Sequence, residues 1–253
     1  MAKMVVMTIA LLGLLSLPAL GDVDETLVLC LSFDEGQGDI AHDSSSYGFH
    51  AKVSGATWVD GKFGKALRFD GQDDFVSVGD APELRLLEGG TVMAWIYLEG
   101  QGTSVWPRIV AKELKTNSSG GYHMPIDWGK GRLLRFVIDG GAGNSVGDPL
   151  DFEKWYHVAV AFDGENLRFY INGEKVAEVP QEKPLPDTEA ELWIGNSPAG
   201  DRPFQGIIDE VRIWSRALGD DEIREQMNMS TKQLVSVDPR SALPALWAEL
   251  KAR

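Results

Sequence analysis

Two adjacent carboxylates, Asp209 and Glu210, interrupt an otherwise β-branched stretch, "GIIDEVRIWSRALGDDEI", at residues 206–223. Such a pair can serve general acid–base chemistry, hold a metal, or decorate a surface. In a regular strand successive side chains face opposite ways. Ile207, Asp209, Val211 and Ile213 then share one face, and Ile208, Glu210, Arg212 and Trp214 share the other. The first set is apolar except for Asp209. An ionised carboxylate there is costly unless it is hydrogen-bonded, ion-paired or metal-bound. Glu210, on the more polar face and two residues from Arg212, is expected to be ordinary.

Calcium takes six to eight hard oxygen ligands from carboxylates and carbonyls. A second oxygen source lies in "SFDEGQGDIAHDSSSYG", a Gly- and Ser-rich acidic loop carrying Asp34, Glu35, Asp39 and Asp43. Oxygens of that loop could join Asp209 around a structural Ca²⁺ if the two stretches are neighbours. The competing expectation is that Asp209 caps loop amides or pairs with Arg68. No His/Cys spacing suits zinc.

Glycoside hydrolysis needs two carboxylates about 5–9.5 Å apart across a sugar-sized groove. Neighbours on one strand point to opposite faces, so Asp209 and Glu210 cannot form that pair. His42, His50 and His123 fall in expected loops, while His157 in "WYHVAVAF" is expected to pack with its nitrogens bonded. No Ser near them forms a nucleophile elbow. Cys30, the single cysteine, reads as a small buried hydrophobe and excludes an intrachain disulfide. The chain reads as a non-enzyme.

A sugar-binding face needs aromatic rings for C–H faces and polar groups for hydroxyls. The stretch "GTSVWPRIVAKELKTNSSGGYHMPIDWGKG" supplies Trp106, Arg108, Tyr122, His123, Asp127 and Trp128, and "GNSPAGDRPF" adds Asn196 and Arg202. Trp106, Arg108, Tyr122, Trp128 and Asn196 are the candidate ligand-binding residues. Trp58, Trp95, Trp155, Trp193 and Trp214 fit strand positions and are expected in the core.

The elements that must position these groups are short apolar runs separated by Gly, Asp and Asn turns. Strands are expected at 26–33, 66–69, 75–78, 91–98, 108–111, 133–138, 155–162, 167–171, 175–179, 191–194 and 207–214. That rhythm suits a sandwich or barrel rather than βαβ units. Asn172-Gly173 in "YINGEKVAEV" predicts a type I′ hairpin. "TVMAWIYL" and "WYHVAVAF" are apolar on both faces, as strands covered on both sides are. After the last strand, Asp220 or Asp221 opens a short helix with an acidic first turn, and Pro244 precedes a second short helix or docking tail.

The stretches "LCLSFDEGQG…AHDSSSYGFHAKVSGATWVDGKFGKALRFDGQDDFVSV", "WYHVAVAFDGENLRFYINGEKV" and "GIIDEVRIWSRALGDDEI" resemble, in order, the opening, middle and closing strands of LamG-like jelly-roll domains of the concanavalin A-like superfamily. The resemblance covers roughly residues 27–226. It implies an all-β fold, a two-sheet antiparallel jelly-roll sandwich, here with short C-terminal helical appendages. It also implies neighbouring first and last strands, which would bring Asp34 or Asp43 to Asp209 and make Asp34, Asp43 and Asp209 the candidate ligands of the structural Ca²⁺. Such domains are commonly exported or cell-surface modules that bind carbohydrate or protein, often with calcium.

The 253 residues carry a formal net charge of −14, which disfavours nucleic acid and anionic membranes as partners. "MAKMVVMTIALLGLLSLPALGD" joins Lys3, an apolar run from Met4 to Leu17 and the small residues Ala19 and Gly21, the layout of a secretory signal peptide cleaved after Gly21. The expected organisation is a signal peptide over 1–21, a jelly-roll domain over 22–230 and a tail over 231–253. The expected product is secreted, periplasmic or at the cell surface, without stable membrane insertion. It is expected to bind carbohydrate or a cell-surface polymer, with a protein-interaction or structural domain as the alternative and a glycoside hydrolase as the third reading.

Overall fold

The computed structural model describes residues 24–115, 119–141, 143–181 and 183–235; the expected leader and the helix expected after Pro244 lie outside the described residues. Among the described residues, sixteen strands follow one another. The first eight are β1 (Leu27–Leu31), β2 (Ile40–Ala41), β3 (Ala51–Ser54), β4 (Thr57–Asp60), β5 (Lys65–Asp70), β6 (Phe75–Gly79), β7 (Gly90–Leu98) and β8 (Arg108–Lys112). The rest are β9 (Tyr122–Asp127), β10 (Leu133–Ile138), β11 (Asn144–Val146), β12 (Trp155–Phe162), β13 (Asn166–Ile171), β14 (Glu174–Pro180), β15 (Leu192–Ile194) and β16 (Gln205–Trp214). Two helices close the described chain, α1 (Asp220–Asn228) and α2 (Thr231–Val235).

The strands form two antiparallel sheets of eight, a jelly-roll sandwich. One sheet runs β14-β13-β12-β7-β16-β5-β4, with β1 also on β16; the other runs β11-β10-β9-β8-β15-β6-β3-β2. The last of the described strands, β16, is central to its sheet. One side of β16 pairs with β7, and the other is shared, residues 205–208 with β5 and 211–214 with β1.

The doubly apolar strands have a physical reason to be so. In β7, Val92, Ala94 and Ile96 pack between the sheets, while Met93 lies on the opposite face with Ala159, Ala161, Tyr170, Trp214 and Ile223. Helix α1 covers that outer face with Ile223, and Trp95 donates its indole N–H to the Met227 carbonyl at 3.2 Å. The acidic first turn of α1 sits as expected at the positive helix end, and Glu222 accepts the Gly219 N–H at 2.8 Å. Asn172 and Gly173 take φ values of 51° and 76° between β13 and β14, the positive angles of a type I′ turn.

Three expectations need correction. Residues 122–127 form β9 rather than a loop, with Tyr122, Met124 and Ile126 on the core side. Pro125 disguised the strand, since proline cannot complete a ladder. Trp95 and Trp214 are core residues as expected, on the outer face under α1, whereas Trp155 and Trp193 are only partly buried and outside the core. The parity of β16 also breaks. Its register with β7 shifts between Asp209 and Arg212, and Glu210 takes a φ of 50°, so a bulge inserts an extra residue. Ile208, Val211 and Ile213 face the intersheet core, whereas Asp209 faces outward beside Trp95.

Candidate functional site

The bulge buries both carboxylates of β16 and gives each a separate task. Asp209 lies under the Gly61–Gly64 turn and accepts the Phe63 N–H on Oδ2 at 3.0 Å. A Cβ on Gly61 would approach that oxygen to 2.6 Å, so only glycine fits the closure. Asp209 Oδ1 is buried without a hydrogen-bond partner, and burial pushes the carboxyl up to about pKa 8. Capping, not pairing with Arg68, is its role; Arg68 binds Glu99 at 2.7 Å. Glu210 is no surface residue. It meets the buried Arg212 at 2.7 Å and takes both the backbone N–H and the hydroxyl of Thr231, fastening α2.

The acids expected to share calcium with Asp209 are engaged elsewhere. Asp34 accepts the Lys65 N–H at 2.8 Å at the other end of the same turn. Asp43 is spent on the amides of Cys30, Ser45 and Phe49 and on the Ser45 hydroxyl. β1 does neighbour β16, but the three carboxylates do not gather as a ligand set. Among the described residues, the group of three or more acids whose oxygens all lie within 4.8 Å of one another is Asp70, Asp73 and Asp74. That hard-oxygen donor set suits calcium. Asp74 has a raised pKa, first through burial and then through the charges of Asp70 and Asp73, a crowding that a cation would relieve.

Two further groups behave as buried structure. Cys30 sits 3.3 Å from the Thr231 hydroxyl, with burial raising its thiol to about pKa 11. His157 is buried in line with Trp95, and burial lowers it to about pKa 3. Its Nδ1 has no hydrogen-bond partner, contrary to the expectation of fully bonded nitrogens.

The aromatic stretch builds a cleft of about 200 Å³ on the outer face of β8, β9 and β10, lined by Trp106, Arg108, His123, Arg135 and Arg202 together with small residues. Outward parity explains it: His123 and Pro125 alternate with core residues on β9, and Arg135 and Val137 do so on β10. Trp106 is 40% exposed. Arg108 is buried beneath it, bonded to Glu113 through Nε at 3.3 Å and Nη2 at 3.2 Å. Burial pushes His123 down to about pKa 4, so its neutral ring donates from Nδ1 to Glu113 at 2.7 Å. Burial alone would raise Glu113, but His123 and Arg108 hold it below the usual range.

Of the five candidate binding residues, the cleft unites Trp106 and Arg108. Tyr122 is a core residue whose hydroxyl donates to the Leu84 carbonyl at 3.1 Å. Trp128 packs on the core and on Phe152 at 5.6 Å, outside the cleft. Asn196 is buried, its side-chain oxygen accepting the N–H groups of Ser197 and Arg202, and so positions the loop that carries Arg202. Arg135 was missed among the candidates. Its outward place in the alternating run "LLRFVI" was the available signal.

The Laminin_G_3 family, described as the concanavalin A-like lectin/glucanases superfamily, matches residues 70–224. The chain belongs to this family. A 103-residue segment of this laminin G-like chain, 39% of it, is 29% identical to mouse (Mus musculus) pappalysin-1, of which it spans 6%. Domain 4 of AbnA, an extracellular GH43 arabinanase from Geobacillus stearothermophilus solved with arabinotriose, superposes with a TM-score of 0.63 at 20% identity, over 80% of this chain and 98% of that one. The binding domain of botulinum neurotoxin DC, solved with rat synaptotagmin II, gives 0.60 at 16% identity, over 82% of this chain and 52% of that one. At these identities the two structures establish a shared fold. Among the described residues, no helix is long and apolar enough to cross a membrane.

Proposed function

We propose that this laminin G-like chain is an exported, non-catalytic module that recognises carbohydrate through the cleft around Trp106. The observation that carries the reading is an exposed indole set over a polar cleft on the open face of a jelly-roll sheet. Sugars stack on such rings and bond to the groups around them. The likeness to an arabinanase domain solved with arabinotriose supports it. The cleft is lined by no carboxylate, and hydrolysis would need two. Export rests on the character of residues 1–21.

Replacing Trp106 with Ala is expected to weaken binding to a retained polysaccharide about tenfold or more, as loss of an aromatic anchor does. Affinity electrophoresis over a polysaccharide panel measures this, with an unchanged melting temperature as the folding control. Retention that ignores Trp106→Ala would move the site elsewhere. A protein partner is the second reading, supported by the neurotoxin domain solved with synaptotagmin II, and a blank panel would favour it.

Calcium belongs to this reading as a structural ion held by Asp70, Asp73 and Asp74, where it would neutralise clustered charge between β5 and β6. Saturating Ca²⁺ is expected to raise the melting temperature by several degrees, equivalent to about 2–3 kcal/mol at a hundredfold excess over Kd. Asp74→Asn should abolish that rise. A melting temperature indifferent to both Ca²⁺ and EDTA would remove the metal.

A further inference from the structure

Three arginines converge on one indole, although the chain as a whole carries a formal net charge of −14. The guanidinium carbons of Arg135 and Arg202 lie 5.6 and 6.0 Å from the Trp106 ring centroid. Arg108 donates from Nη1 to the Trp106 carbonyl at 3.1 Å, fixing the backbone beneath the ring. The acids that balance these charges are Glu113 on Arg108, Asp127 on Arg135 at 3.3 Å and Asp201 on Arg202 at 3.0 Å. None of the three lines the cleft. His123, which does, is neutral at ordinary pH. The wall is therefore cationic and its counter-charges are set outside it. Arg202 Nε is buried without a hydrogen-bond partner, a donor still lacking an acceptor.

A neutral sugar offers these guanidinium groups only uncharged acceptors, whereas hydrogen bonds to a carboxylate are charge-assisted and stronger. A carboxylate is planar, and its two oxygens match the parallel N–H donors of a guanidinium fork. Resting on the carbohydrate reading above, we propose that the cleft takes an acidic sugar, a uronic or sialic acid residue. Its ring lies on Trp106, and its carboxylate is received by Arg202 and Arg135. Arg202, 29% exposed and held in place through Asn196, is the specificity-determining residue. Because the surface elsewhere is acidic, an anionic polymer gains nothing from non-specific attraction and must use a local cationic site.

The test measures retention of the full chain on polygalacturonate, alginate and polysialic acid. Comparators are methyl-esterified polygalacturonate, neutral arabinan and galactan, and dextran sulfate. Expected is binding to at least one carboxylate polymer that weakens steeply with added salt. It should fall at least tenfold in both Arg202→Gln and Trp106→Ala, recover in part in Arg202→Lys, and leave melting temperatures unchanged. Esterified polygalacturonate is expected to bind at least tenfold more weakly than the free acid. Trp106-dependent binding to neutral polymers alone would overturn the acidic-sugar assignment while leaving the carbohydrate reading intact. Equal or tighter binding to dextran sulfate would overturn the carboxylate. No binding to any polymer would overturn both readings.

Discussion

Glu210→Gln is expected to lower the unfolding free energy by about 3–5 kcal/mol, the cost of breaking a buried ion pair from one side. Arg212 is 1% exposed, and Glu210 is the carboxylate that pairs with it. The guanidinium also donates to the carbonyls of Gln226 and Met229, at 2.9 and 2.5 Å. The same carboxylate binds the Thr231 N–H at 2.8 Å, so its loss also unfastens α2. Urea denaturation measures the effect. Adding Arg212→Met to the variant should restore part of the stability, because the stranded charge is removed. A loss below about 1 kcal/mol, within the range of exposed pairs, would show that this junction does not fasten the helix.

Stability is also expected to peak near pH 6.5 and to fall by roughly 2 kcal/mol by pH 8, and Asp209→Asn should abolish the alkaline decline. Burial holds Asp209 protonated up to about pKa 8, against an unfolded value of about 3.9. Its native proton stabilises the fold fully below the unfolded value, and that contribution drains away as pH rises toward 8. His123 and His157 act oppositely. Burial holds them neutral down to about pKa 4 and 3, whereas unfolded histidines take up protons below about 6.5. Between about pH 4 and 6.5 the unfolded chain thus gains two protons on the histidines against one retained natively by Asp209, and stability rises with pH at roughly 1.4 kcal/mol per unit. Above 6.5 only Asp209 counts, and the slope reverses. Melting temperatures from pH 5 to 9 for the parent and Asp209→Asn test this. A decline that persists in Asp209→Asn would assign it to another group.

The fold was readable because its signals are local. Paired apolar strands such as β7 and β12, the Asn172-Gly173 turn and the acidic start of α1 each announce themselves within a few residues. The site was partly readable. Trp106 and Arg108 lie in a stretch rich in binding chemistry, but their union with Arg135 and Arg202 is a long-range event across β8, β10 and the 196–202 loop. Tyr122 and Trp128 share that stretch, and strand parity and packing draw them away from the cleft. The acids of β16 were misread for one reason. Side-chain parity assumes an unbroken ladder, and the bulge at Glu210, a non-glycine residue at positive φ, leaves no mark in composition. Burial of Asp209 was nonetheless legible, since a lone acid in an apolar strand must be capped somewhere.

The central place of β16 has a temporal consequence. This strand is the last of the described strands in chain order, yet it is the strand partner of β1 and joins β7 to β5. The β7-β12-β13-β14 and β5-β4 ladders can form first, but they are not joined until residues 205–214 have emerged. Joining segments this far apart along the chain is long-range closure, which is slow. Assembly of that sheet thus ends on its own central strand.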